Sequence, residues 1–411
     1  MPEGRKVHSR SGSEIGGLGV QGCILMMGIW GSSCLASDDW PEQLQLHGFA
    51  TQGYILTTGN SFFGDTITGG DFDFRELGLN ASWRFKPGLQ ISAQAVSRLA
   101  GETDDGDLRL DFGFIDYRFM ESREMLVGAR AGRILNPLGF YIDTRDVAFA
   151  RPSILLPQSI YFDVNRNLAL SLDGAQLYGE RHLETGNLSL QLQYGWPRVE
   201  DPDFERSVFF GAAQGRLDPR PTWLARLIYE TPDARLRFGI SGGQVNTGYD
   251  RAGRGDPFDS GRFRFEPLIL SAQYNARLWD LTAEYARRSV SLRDFGATFP
   301  DDGFTGESYY LQGTYRFAPD WEALLRYDAL YWDKEDRNGT AFAAETGLPA
   351  YRRFAKDLTL GLRWDVTPAF MLRTEFHYID GTGWLSDLEN PISSETERYW
   401  TLFSVIGSYR F

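Results

Sequence analysis

Cysteine is nearly absent from this chain. Its 411 residues hold two, Cys23 and Cys34, both near the start, so no disulfide framework holds the body together. Histidine is scarce as well. Beyond the first 36 residues only His47, His182 and His377 occur, and none is spaced with another as metal ligands are. Positive charge is outweighed, with 42 lysines and arginines against 55 acids and a net charge of −13. That balance excludes a nucleic-acid partner, which needs a basic face. Mean hydropathy is −0.34, and no helical membrane protein is implied. From Gln43 onward there is also almost no helical period.

The first 36 residues read as a leader. A basic start (Arg5, Lys6, Arg10) precedes an apolar centre from Cys23 to Trp30, and Cys34-Leu35-Ala36 forms a small-residue cleavage site. The expectation is a cleaved signal peptide over 1–36 and one cysteine-free domain over 37–411.

What the body does have is a period of two. In Glu76–Phe85, Leu77, Leu79, Ala81, Trp83 and Phe85 share one face, while Glu76, Asn80, Ser82 and Arg84 share the other. Asn187–Trp196 and Asp357–Val366 split the same way. A soluble sandwich also alternates. These segments are long, however, and aromatics repeatedly end their apolar faces, as Trp83/Phe85, Tyr194/Trp196, Tyr315/Phe317 and Tyr409/Phe411 do. Length and aromatic ends are the marks of strands tilted through a bilayer with interfacial girdles.

Sixteen such strands are predicted: 43–56, 72–86, 88–98, 107–120, 124–133, 169–182, 187–196, 222–231, 234–245, 263–276, 278–292, 306–318, 320–332, 354–367, 369–380 and 398–411. Connections between them alternate strictly between short and long. An even strand count with short turns at one end and long loops at the other describes a transmembrane barrel of the outer-membrane type. The expected fold class is all-β, a closed transmembrane antiparallel barrel of about sixteen strands with short periplasmic turns and long outer loops.

The last segment, Glu397–Phe411, reads ERYWTLFSVIGSYRF, with Phe403, Val405, Gly407, Tyr409 and Phe411 on one face. A strand that ends in an aromatic and alternates in this way resembles the assembly signal of Gram-negative outer-membrane proteins. With sixteen strands and a long third loop, the body resembles the porins, with the phosphate-selective porins a possible relative. That resemblance implies an outer-membrane location, contact with lipid and lipopolysaccharide, and recognition of Phe411 by the assembly machinery. It also implies a homotrimer and passive diffusion of small hydrophilic solutes, with no cofactor and no enzymatic step.

Three motif matches carry less. Gly17-x-Gly19-x-x-Gly22 lies in the leader and opens no βαβ unit. Gly239-x-Ser241-x-Gly243 falls within a predicted strand, where a nucleophile elbow needs a strand–turn–helix. A barrel hydrolase using a serine and His377 is an alternative, as is a channel specific for a phosphate-like oxyanion.

The inner wall remains. Charge on the lipid face costs roughly 2–4 kcal/mol per Arg near the midplane, so the charged parity is assigned to the lumen. It comprises Arg84, Arg98, Arg118, Arg130, Arg226, Arg237, Arg288, Arg316, Arg326, Arg363, Arg373 and Glu375, together with acids such as Glu76, Asp116, Glu284 and Asp328. A salt-bridged wall that stiffens the barrel and a charged pore that favours anions are both consistent with this parity. Arg133–Arg166 breaks the period with three prolines, four arginines and three aspartates. By the porin resemblance it is the constriction loop, folded into the lumen, with Asp143, Arg145, Asp146 and Arg151 at the narrowing.

Overall fold

A computed structural model describes residues 43–163, 166–199, 214–297 and 301–411. The predicted leader lies outside the described residues. The first eight strands are β1 (Leu44–Thr57), β2 (Asp71–Lys86), β3 (Leu89–Ala100), β4 (Asp105–Glu121), β5 (Met125–Leu135), β6 (Ser171–Leu183), β7 (Gly186–Pro197) and β8 (Arg216–Glu230). The second eight are β9 (Leu236–Asp250), β10 (Gly261–Asn275), β11 (Trp279–Arg293), β12 (Asp302–Ala318), β13 (Trp321–Tyr331), β14 (Phe354–Thr367), β15 (Phe370–Gly381) and β16 (Tyr399–Arg410). Each pairs antiparallel with its sequence neighbours, and β1 pairs with β16, so the sheet closes.

Closure explains how strands of this composition avoid an exposed edge, since every ladder has a partner on both sides. The seam is tied at the chain end. Phe411 and Gly48 exchange backbone hydrogen bonds of 3.0 and 3.1 Å. The Phe411 ring lies where a Cβ on residue 48 would be, 2.3 Å from its Cζ, so any larger residue there would push the ring aside.

The period-two reading holds in three dimensions. Along β2, Glu76 is 2% exposed and Leu77 41%. Outward-facing aromatics collect at the short-turn end (Trp83, Tyr117, Trp279, Tyr315, Trp364, Tyr409) and again near the long loops (Phe72, Tyr194, Trp196, Tyr399). Trp321 and Trp364 stack with ring centroids 5.1 Å apart.

Several strand boundaries differ from expectation: β9 runs on to Asp250 beyond the expected 245, β12 begins at Asp302 ahead of 306, and two others change the connections. The second outer loop is only 101–104, because β4 begins at Asp105 within the acid-rich run. β8 begins at Arg216, ahead of the predicted 222, and holds Pro219 and Pro221. Proline cannot donate to a ladder. Here β7 pairs with β8 only as far as Gly195–Thr222, and the β8–β9 register shifts between Arg220 and Trp223. The prolines thus sit where the ladder is one-sided and bulged.

The long connections are labelled L1 (58–70), L2 (101–104), L3 (136–170), L4 (198–215), L5 (251–260), L6 (294–301), L7 (332–353) and L8 (382–398). L3 includes the short helix α1 (Arg166–Leu170), and L7 carries α2 (Thr340–Thr346).

Candidate functional site: the third loop and the inner wall

L3 is bound by inward-facing side chains from strands around almost the whole barrel. It leaves β5 and meets β8, β9 and β11 first. Arg226 donates to the Gly139 carbonyl (2.9 Å) and pairs with Asp143, while the Gly139 N–H donates to Ser241 Oγ (2.9 Å). Glu284 of β11 accepts four hydrogen bonds: from the Phe140 N–H (3.0 Å) and from the hydroxyls of Tyr161 (2.5 Å), Tyr310 (2.9 Å) and Ser271 (2.5 Å). A buried carboxylate with that many donors is well satisfied, which is the condition for keeping it out of water.

The loop then crosses to the opposite wall. Arg151 forks onto Glu76 of β2 at 3.0 and 2.7 Å, the bidentate geometry that makes Arg–carboxylate pairs strong. Arg373 donates to the Arg151 carbonyl (3.0 Å), and the Phe149 ring lies under Arg410, 4.4 Å from its guanidinium carbon. Glu375 accepts the N–H groups of Ile154 (2.5 Å) and Leu155 (3.2 Å). Returning, Arg326 donates to Ser153 Oγ (3.0 Å) and the Ser159 N–H donates to Asp328 (3.2 Å). Loop backbone that meets walls on all sides crosses the lumen; no outward path makes those contacts.

Apolar packing backs the crossing. On one side Phe62, Phe63, Phe149, Ile154, Leu155 and Trp384 join L1, L3 and L8 with the walls of β1, β2 and β13–β16. On the other, Leu138 packs with Phe258 of L5, Phe295 of L6 and inward residues of β8–β11.

The four predicted constriction residues are all in L3, but three are buried and all are paired. Arg145 (3% exposed) pairs with Asp163 at 2.9 Å and Arg151 (4%) with Glu76 at 2.7 Å. Asp146 pairs with Arg166, and Asp143 with Arg226. These charges hold the loop to itself and to the wall, because a buried ion is tolerated only when paired. The sequence reading did not single out Asp163, Tyr161 or Tyr310. Burial works to raise the Asp163 carboxyl, but Arg145 and Arg98, with a hydrogen bond from Gln158, hold it below the usual carboxylate range.

The predicted wall residues lie on inward parity, in two kinds of environment. Arg98, Arg130, Arg226, Arg326 and Arg373 are buried: Arg98 pairs with Asp163 (3.2 Å) and Asp104 (3.3 Å), and Arg130 with Asp116 (2.9 Å). Toward the short turns, Arg118 pairs with Glu121, Arg316 with Glu322 (3.1 Å) and Arg363 with Asp365 (2.8 Å). Arg84 is exposed, and Arg237 lies over the Phe140 ring at 4.4 Å.

His377 is 1% exposed and lies between Asp357 (2.8 Å) and Glu375 (3.4 Å), with Thr359 Oγ1 at 3.2 Å. No serine hydroxyl is among its hydrogen-bond partners in the described residues. Ser241, from the dismissed elbow motif, lies inside β9 and accepts a loop N–H.

A closed sixteen-stranded barrel with an apolar outer band and an internal third loop defines the protein as a barrel of the outer-membrane porin fold. Solved structures with this fold include an anion-selective porin from Comamonas acidovorans (13% identity, TM-score 0.55, covering 90% of this chain and 99% of that one). OmpF of Salmonella typhi in complex with daunomycin matches at 15% identity and TM-score 0.55, and the outer-membrane channel DcaP of Acinetobacter baumannii at 14% and 0.52, each over 90% of this chain and 97% of theirs. At such identities the likeness is one of fold. No protein-family model matches the sequence and no curated protein is similar to it.

Proposed function

We propose that the protein is an outer-membrane diffusion channel for ions and small hydrophilic solutes, exported through its leader and assembled as a homotrimer. The observation that carries this is the closed barrel with a lipid-suited outside and a charged inside. A sixteen-stranded barrel is too wide for its own side chains to fill, and a loop across it is the simplest way to narrow the bore. The solute moves down its gradient, with no cofactor and no chemical step.

A weak anion preference accompanies this reading. Arg84 and Arg237, neither of them buried, have no ion pair among the described residues, and rings of arginine favour anions. Glu180 and Glu230 on the same wall are also unpaired, which keeps the preference small.

Planar-bilayer recording under a salt gradient tests the reading. Stepwise conductance, inserted in groups of three, with a reversal potential on the anion side is the expected outcome. A correctly folded barrel that never gives channel steps overturns it.

A further inference from the structure

One cavity on the long-loop side is not accounted for by the plug. It measures about 490 Å³ and lies between L3, the inner faces of β9–β12 and L7. That is within the range of small-molecule sites. Its walls are mostly apolar, with Ile160 and Phe162 from L3, Phe265 from β10, Phe304 from β12, and Trp332 and Phe342 from L7. Exposed Asp302 and Glu345 mark where it meets solvent.

Arg288 of β11 also lines it. This side chain is 8% exposed, and its Nε is buried without a hydrogen-bond partner. Among the described residues it makes no ion pair and no hydrogen bond; its one close companion is the Phe162 ring, 4.6 Å from the guanidinium carbon. The acid whose charge reaches it, Asp328, already accepts the Ser159 N–H. The two other arginines of the lining differ. Arg145 is paired with Asp163. Arg353 stacks over Phe342 (4.9 Å) and Phe304 (5.4 Å) within the field of Asp333, Asp336 and Asp302.

A buried guanidinium without a counter-ion costs several kcal/mol. Other deeply buried arginines of this region also keep an unpartnered nitrogen, but each makes at least one ion pair or hydrogen bond. Arg98, Arg145, Arg151 and Arg166 do so to acids, Arg326 to a hydroxyl and Arg373 to a carbonyl; Arg288 makes none among the described residues. We propose that this cavity is a binding site for an amphipathic monoanion, a carboxylate on an aromatic or short aliphatic body, with the carboxylate on Arg288 and the body against Phe162, Phe304 and Phe342. Small multivalent oxyanions do not fit the site: its walls offer them few donors, and the rim carboxylates repel a second charge. The proposal deepens the diffusion-channel reading by naming a solute class, but binding can be measured without conduction.

The test is calorimetry on the full barrel in lipid nanodiscs, with 4-phenylbutyrate, the neutral 4-phenylbutanol and inorganic phosphate as probes. Phenylbutyrate binds saturably at one site per chain, phenylbutanol about tenfold or more weaker, and phosphate does not compete. Arg288→Met brings the acid down to the affinity of the alcohol. Phe342→Ala, in the L7 helix and outside the strand ladders, weakens both probes several-fold. Equal affinity for acid and alcohol, or an Arg288→Met barrel that folds and binds phenylbutyrate unchanged, overturns the proposal. If Arg288→Met does not fold, the acid–alcohol comparison and Phe342→Ala decide. Saturable binding in a barrel that never conducts would sink the channel reading and leave this site standing; conduction with no binding would do the reverse.

Discussion

The two ends of the lumen are built from the same residue types and use them in opposite ways. In β2, Glu76 is sealed beneath L3 and clamped by two arginines, whereas Arg84, further along the same inward row, is open to water. In β8, Arg226 is buried against L3 while Glu230 is only half-buried. Near the loops, wall charges bind backbone and one another and function as structural members. Near the short turns they stand open, as Arg84 does, or make more exposed pairs, as Arg316 does with Glu322. Strand parity alone therefore does not tell a selectivity residue from a staple; depth along the barrel does.

Removing a staple should produce the largest effect. Glu76→Ala leaves Arg151 without its acid and Arg98 with one fewer, both buried, a change of the kind that costs about 3–5 kcal/mol. Urea unfolding in lipid vesicles should show that loss, and the released L3 should raise single-channel conductance. Glu322→Ala, whose partner Arg316 is 41% exposed, should cost under ~1 kcal/mol. Similar losses for the two variants would erase the distinction between the ends.

The next effect concerns selectivity. Arg84→Glu combined with Arg237→Glu should move the reversal potential toward cations at 0.1 M salt. The shift should fade by 1 M, as the screening length falls from about 10 Å to about 3 Å. Arg145→Gln should move it less, because that guanidinium is already matched by Asp163 and by the carbonyls of Tyr161 and Phe162. A larger shift from Arg145→Gln would mean that the L3 charges, rather than those near the short turns, set the selectivity.

The barrel was legible because its signal is local. Leu77 beside Glu76, repeated through sixteen strands, reports parity without knowledge of any partner. Strand count, the alternation of connection lengths and the topological address of L3 follow from that. The role of the L3 charges was not legible, because it depends on partners far away in sequence: Arg151 on Glu76, Asp143 on Arg226, Ile154 on Glu375. Tyr161 gave no signal at all, since a lone tyrosine beside Pro157 reads as loop. β8 was foreshortened for a different reason: proline argues against a strand unless the ladder is known to be one-sided there.

A more local effect lies at the outermost layer, where the long-loop end meets solvent and can still titrate. The Glu389 carboxyl of L8 accepts the N–H groups of Phe63 (2.9 Å) and Gly64 (2.8 Å) in L1. Burial pushes it up to about 7, and the nearby charge of Glu102 in L2 adds to this. A carboxyl raised in the folded arrangement favours its neutral form there. Its contribution to the L1–L8 clasp is therefore full below the ordinary carboxylate range and is lost as pH rises through about 7. The amount is at most ~3 kcal/mol, and less for a group that keeps an edge in water. Limited proteolysis should cut L1 and L8 several-fold faster at pH 8 than at pH 5.5, relative to a Glu389→Gln barrel treated in parallel. The buried staples beneath should protect L3 equally at both values. If L3 is cut together with L1 and L8, the outer clasp and the plug open as one unit, and the boundary between a titrating rim and a fixed plug does not exist.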